Sequence, residues 1–129
     1  MTTTRIFVYG AMTEGMVHFS KIQNFVASSA SAYVRGSAYR LKVGFPALSR
    51  DGEDLIPGQL LDIQGSDLLL GLLDEFYGFN RLDPEKSLYC REEVNVYLQE
   101  SGESTRAFVY FLNPINYFQL YKNNKYQCR

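Results

Sequence analysis

Apolar residues run unbroken through Ile6-Phe7-Val8-Tyr9 and stop at a glycine, the pattern of a short buried strand. Gly10 to Gly15 follows as a loop with glycine at both ends. Between Met16 and Val26 the apolar positions are Met16, Phe19, Ile22, Phe25 and Val26, a spacing that predicts a helix. Ala27 to Ala32 is small and polar and carries no periodic signal. Tyr33 to Leu41 alternates and predicts a strand. Gly44-Phe45-Pro46-Ala47-Leu48 reads as a turn entering a short edge strand, because proline cannot donate to a central ladder. Asp51-Gly52-Glu53-Asp54 reads as a hairpin-type turn, with a strand from Leu55 to Ile63 after it.

Ser66 is a good N-cap for a helix from Asp67 to about Phe76, and Gly78 is its expected terminator. Asn80 to Ser87 is a polar loop containing Pro84. Leu88 to Leu98 and Thr105 to Leu112 then form a hairpin around Ser101-Gly102-Glu103. The order strand, helix, strands, helix, strands predicts an α+β fold: a small, mostly antiparallel β-barrel or curled sheet with two packed helices. The rhythm of a doubly wound parallel sheet is missing. At 129 residues the chain, 1–129, reads as a single domain, with 113–129 as a C-terminal tail of unassigned structure.

Composition narrows the function classes. Lys plus Arg is 13 and Asp plus Glu is 14, a formal charge of −1, which argues against nucleic acid and gives no reason to expect an anionic membrane as partner. No apolar run approaches the roughly 18 residues of a spanning helix, and Met1-Thr2-Thr3-Thr4-Arg5 lacks the apolar core of a signal peptide, so the expected location is cytoplasmic. Cys90 and Cys128 have no paired spacing and His18 is the single histidine, so neither a metal site nor a histidine-based triad is expected, and no cofactor is implied. Ten Tyr and nine Phe with no Trp suit a β-rich core, and also a pocket lined with tyrosines.

The chemistry-bearing candidate is the loop Tyr9-Gly10-Ala11-Met12-Thr13-Glu14-Gly15. A glycine-bounded loop leaving a strand can present successive backbone N–H groups as an anion cradle, or can simply be a tight connection. Six short segments in order then resemble the gamma-glutamylcyclotransferase-like family, which includes the AIG2-like domains. Phe7-Val8-Tyr9-Gly10-Ala11-Met12 resembles the opening strand and its YG[ST]L loop. Val34-Arg35-Gly36-Ser37-Ala38-Tyr39 with Gly44-Phe45-Pro46-Ala47 resembles the next pair of motifs, and Ile56-Pro57-Gly58-Gln59-Leu60 resembles V-x-G-E-[LV]. Leu73-Asp74-Glu75-Phe76-Tyr77-Gly78 resembles L-D-x-x-E-G, Tyr89-Cys90-Arg91 resembles Y-x-R, and Ala107-Phe108-Val109-Tyr110 resembles the last strand.

The resemblance implies a small β-barrel with helices and a reaction that releases the amine of a gamma-glutamyl compound as 5-oxoproline. The substrate's own α-amine attacks its γ-carbonyl. That amine must lose a proton and the leaving amine must gain one, so one carboxylate near both can act as base and then acid. Residue by residue, the resemblance makes Tyr9, Gly10, Ala11 and Met12 the substrate cradle for a small gamma-glutamyl or carboxylate ligand. It makes Tyr89 and Tyr110 pocket-wall tyrosines, whose alternative is a place in the core. Arg91 would be a cation for a substrate carboxylate or the partner of a nearby acid. His18 is one residue out of register with the family's Asn-His and is not carried over.

Tyr77 stands at the position of the family's acid/base glutamate. Helical spacing puts it on the apolar stripe with Leu69 and Leu73, and puts Glu75 about 200° away on the wet side. A tyrosine has a reference pKa of about 10 against about 4.3 for glutamate, so it is mostly in the wrong state to take a proton at neutral pH. Gln59 removes a second carboxylate. These departures imply a preserved pocket with impaired or altered activity, or a non-catalytic carboxylate-binding or interaction module on the same fold.

Overall fold

A computed structural model describes residues 4–41, 46–64, 66–114 and 120–125. The Gly44-Phe45 part of the second motif, Cys128 and much of the C-terminal tail lie outside the described residues. The elements are β1 (Thr4–Val8), β2 (Val26–Leu41), β3 (Pro46–Ile63), α1 (Ser66–Tyr77), β4 (Tyr89–Leu98), β5 (Ser104–Leu112) and β6 (Leu120–Lys125). Five strands close a barrel in the order β3-β1-β5-β4-β2, with β2 pairing back onto β3. All pairings are antiparallel except β1 with β5. β6 adds to β2 through Tyr39↔Lys125 and Leu41↔Leu120.

The unbroken apolar run of β1 follows from burial on both faces. Phe7 and Tyr9 point into the barrel with Val34, Leu48, Val96 and Val109. Ile6 and Val8 point the other way, into a second core with Met12, Leu69, Leu73 and Leu112 that lies beneath α1. β5 divides in the same way, with Val109 and Phe111 inside the barrel and Tyr110 and Leu112 under the helix. Each core places apolar side chains in close contact, which is where most of the favourable free energy of folding arises.

α1 ends as its sequence predicts. Gly78 adopts φ 67, its N–H bonds the Glu75 carbonyl and the Phe79 N–H reaches back to Asp74. These are the two bonds of a Schellman cap, whose left-handed residue favours glycine.

Two expectations are corrected. Residues 16–26 do not form the second helix. Phe19, Ile22 and Phe25 donate to the carbonyls of Met16, Phe19 and Ile22, giving successive tight turns, two of them the short 3-10 helices Phe19–Lys21 and Gln23–Phe25. The apolar spacing there is a strict three, which fits three residues per turn better than the α-helical 3.6. The Asp51-Gly52 turn is not a hairpin. Gly36 pairs with Asp54 and Ser37 with Ser49, so residues 50–53 loop out of β3 while both halves of the strand follow β2. Ala27 to Ala32, silent in the sequence, is the first half of β2 and pairs with β3 through its backbone. Residues 27–31 are exposed, so no alternation marks them.

Candidate functional site

The site is built where the C-terminal end of α1 crosses the outer faces of β4 and β5. Tyr77, last in the helix, lays its ring parallel to Tyr110 at 4.3 Å between centroids and 14° between planes. Tyr89 closes in at 5.3 Å. Tyr9, leaving β1, is buried and donates its hydroxyl to the Tyr110 carbonyl at 3.0 Å. Three of the sequence-derived residues, Tyr77, Tyr89 and Tyr110, therefore meet in one aromatic cluster, Tyr9 reaches it from the barrel core through its hydroxyl, and Met12 belongs to the core of the three.

The cluster holds its hydroxyls in the neutral form. Burial, then the neighbouring Tyr89, pushes Tyr77 well above its ordinary value. Burial also raises Tyr9, with Tyr77 and Tyr89 adding to it, and brings Tyr89 up to about 12. Tyr110 is raised by burial and by its hydrogen bond to Asp74, against a smaller opposite pull from Arg91. Both causes acting on Tyr77 raise it.

Arg91 is engaged elsewhere. Its Nη1 lies 3.0 Å from both carboxylate oxygens of Asp74, and the Tyr110 hydroxyl donates to Asp74 Oδ1 at 2.5 Å. The guanidinium carbon also lies 5.6 Å from the Phe79 ring and 5.2 Å from the Phe108 ring. Of the two roles open to Arg91 in the sequence, a cation for substrate or a surface partner of an acid, the structure gives the partner of an acid, but in a mostly buried pair rather than at the surface. Asp74 is a residue of the site that sequence reasoning missed. Its signal was the spacing of three from Tyr77, which puts the two on one helix face.

The loop after β1 is a single turn of 3-10 helix, Gly10–Met12, with Gly10 at φ 61. The Met12 N–H closes on the Tyr9 carbonyl and Thr13 closes on Gly10 through both its N–H and its hydroxyl. Gly10 and Ala11 open the turn, where N–H groups have no acceptor within it. Gln59 accepts the Glu14 N–H at 2.7 Å, so its amide oxygen ties down the far end of this loop.

Other acids have surface partners: Glu14 accepts from Ser29, Glu92 pairs with Arg50 and Glu93 with Arg106. Glu75 is exposed, and His18 packs edge-on against Phe76 at 5.0 Å. Among the described residues no group of three His, Cys, Asp or Glu could hold a metal ion, and no helix is long and apolar enough to cross a membrane.

Comparison with solved structures finds the same fold at low identity. The chain superposes on a solution structure of an Arabidopsis thaliana protein with TM-score 0.66 and 21% identity, covering 100% of this chain and 78% of that one. The Bacillus subtilis protein YkqA gives 0.64 and 20%, covering 87% of this chain but only 36% of its own length. A structure described as gamma-glutamyl cyclotransferase gives 0.56 and 19%, covering 86% and 67%. No curated protein sequence matches. The family model described as gamma-glutamyl cyclotransferase, AIG2-like, matches residues 6–128, nearly the whole barrel and its helix. The chain belongs to the gamma-glutamyl cyclotransferase, AIG2-like family.

Proposed function

We propose that this chain keeps the family's barrel and substrate loop while the 5-oxoproline-forming reaction is impaired. In that reaction the substrate α-amine forms a C–N bond to its own γ-carbonyl carbon, the original amide C–N bond breaks, and a proton passes from the attacking to the leaving nitrogen. The shuttle needs a base that is ionised near neutral pH. The observation that carries the reading is the stack of Tyr77 on Tyr110. Its centroid spacing of 4.3 Å leaves no room for a ligand between the rings. Burial holds the Tyr77 hydroxyl protonated. Asp74, on the same helix face, is already engaged by Arg91 and Tyr110.

The test is release of 5-oxoproline from gamma-glutamyl amino acids and amines. The wild type is expected to turn over slowly or not at all, and Tyr77→Glu to gain activity. Robust turnover by the wild type that survives in Tyr77→Phe would overturn the assignment of the position.

A second reading is favoured by the Gly10–Met12 turn. Its opening N–H groups suit a carboxylate, so the domain would bind a small carboxylate ligand without converting it. Calorimetric titration with 5-oxoproline and with a gamma-glutamyl amine separates the two: heat of binding without product in both wild type and Tyr77→Glu selects the binding module.

A further inference from the structure

The outward face of α1 also carries an apolar stripe. Leu68, Leu72 and Phe76 recur every four residues and are 64%, 45% and 42% exposed. Met16 and the 73% exposed Val17 lie in the turns beside the helix, where His18 touches the Phe76 ring. Leu82 and Leu88 follow in the loop that leaves it. Among the described residues, seven of the eight exposed large hydrophobics thus belong to α1 or its flanking loops, and Leu55 on β3 is the exception. The helix and adjoining turns alone expose on the order of 500 Å² of apolar side chain, toward the top of the about 300–600 Å² patch of a typical monomer and most of the about 800 Å² per partner of a standard interface.

Gly71 supplies an independent observation. It sits in the middle of α1 on this exposed side. Glycine is the poorest ordinary helix former, and here no contact among the described residues requires it. A Cβ built at Gly71 meets nothing within 4 Å. A missing side chain at mid-helix is explained when another backbone approaches there.

We propose that this face is the interface of a homodimer in which α1 packs antiparallel on α1 of a second copy, crossing at Gly71 and Leu72. The stripe is self-complementary about Leu72. A two-fold axis there sets Leu72 against its equivalent and Leu68 against the partner's Phe76. Such a pairing is isologous and closes on itself. Lys21 and Glu75 give the rim both signs of charge. Lys21 shares a cleft of about 570 Å³ with Leu72, Glu75 and Phe76 at the C-terminal end of α1. The antiparallel arrangement brings that end to the acidic first turn of the other helix, which carries Asp67. The mixed charge of the rim, with Lys21 and Glu75 lining the same cleft, disfavours an anionic lipid surface as occupant.

The experiment is sedimentation velocity on the full chain across a micromolar concentration series. The wild type should sediment as a dimer. Gly71→Leu replaces a poor helix former where the monomer has open space, so it should keep or raise the melting temperature while weakening association by about tenfold or more. Leu72→Glu should be monomeric. Lys21→Asp should weaken the dimer, and Lys21→Asp combined with Asp67→Lys should restore it. A wild type that stays monomeric throughout overturns the proposal, as does a dimer that survives Gly71→Leu.

Discussion

Asp74 and Tyr77 share one face of α1 but have opposite kinds of surroundings. Tyr77 meets rings, whereas Asp74 meets donors on two strands. Side-chain exposures of 12% for Arg91 and 14% for Asp74 make this a mostly buried pair. Replacing Asp74 with Asn keeps the volume and an acceptor for Tyr110 but leaves the Arg91 charge enclosed between Phe79 and Phe108 without a counter-ion. Breaking a buried pair from one side costs about 3–5 kcal/mol, and the partial exposure here lowers the expectation to about 2–3 kcal/mol. Urea unfolding of Asp74→Asn measures it; a loss under about 0.5 kcal/mol would place the pair among screened surface bridges. The sequence made half of this legible. Helical geometry set Tyr77 on the buried stripe and Glu75 in water. The partnership of Asp74 with Arg91 depends on how α1 lies across β4, a relation between elements that no local spacing encodes.

The glycines show how element-level signals can be read as chemistry when they are packing. Gly58 belongs to one of the motifs that carry the family resemblance, and it lies on β3 beside β1. A Cβ there would collide with the Val8 carbonyl oxygen and, at 2.5 Å, with the Phe7 ring. Gly58→Ala must displace backbone rather than a flexible side chain, so a loss of about 2–3 kcal/mol is expected, comparable to overpacking a core. Gly78→Ala is milder. Its φ of 67 disfavours alanine by about 1–2 kcal/mol, and its Cβ would lie 3.2 Å from Leu88 Cβ. Thermal unfolding of both variants should rank Gly58→Ala below Gly78→Ala, and the reverse order would contradict the close approach of β1 and β3. The two misread elements have equally local causes. Met16, Phe19, Ile22 and Phe25 are spaced by three rather than by 3.6, and this difference was visible in the sequence. The looped-out 50–53 segment was not, because a turn inside one strand and a turn between two strands use the same Asp-Gly chemistry.

At the scale of the molecule, barrel closure divides the interior into two cores, with Tyr77, Tyr89 and Tyr110 under α1 and Tyr9 reaching them from inside the barrel through its hydroxyl. Strand alternation announced the strands and the abundance of tyrosine announced a β-rich interior. Only closure, through pairings distant in sequence such as Ile6 with Phe108 and Tyr33 with Tyr97, brings the tyrosines into one cluster.

That cluster should set the alkaline limit of stability. An acid whose pKa rises on folding keeps its proton longer in the native state than in the unfolded one. Above the ordinary tyrosine value of about 10, the unfolded chain therefore binds fewer protons, and stability falls as pH rises. For Tyr89 the loss begins near pH 10 and is complete near its folded value of about 12, a span worth about 2–3 kcal/mol. Tyr77 and Tyr110, raised further, keep contributing across that whole window. Urea unfolding followed between about pH 9 and pH 12 should show the decline, and Tyr89→Phe should flatten it by its own share. Tyrosinate absorbance should rise for these four residues together with loss of fold. Should all the tyrosines ionise near pH 10 while the protein stays folded, the cluster would be open to water and the Tyr77 stack would no longer support the proposed impairment.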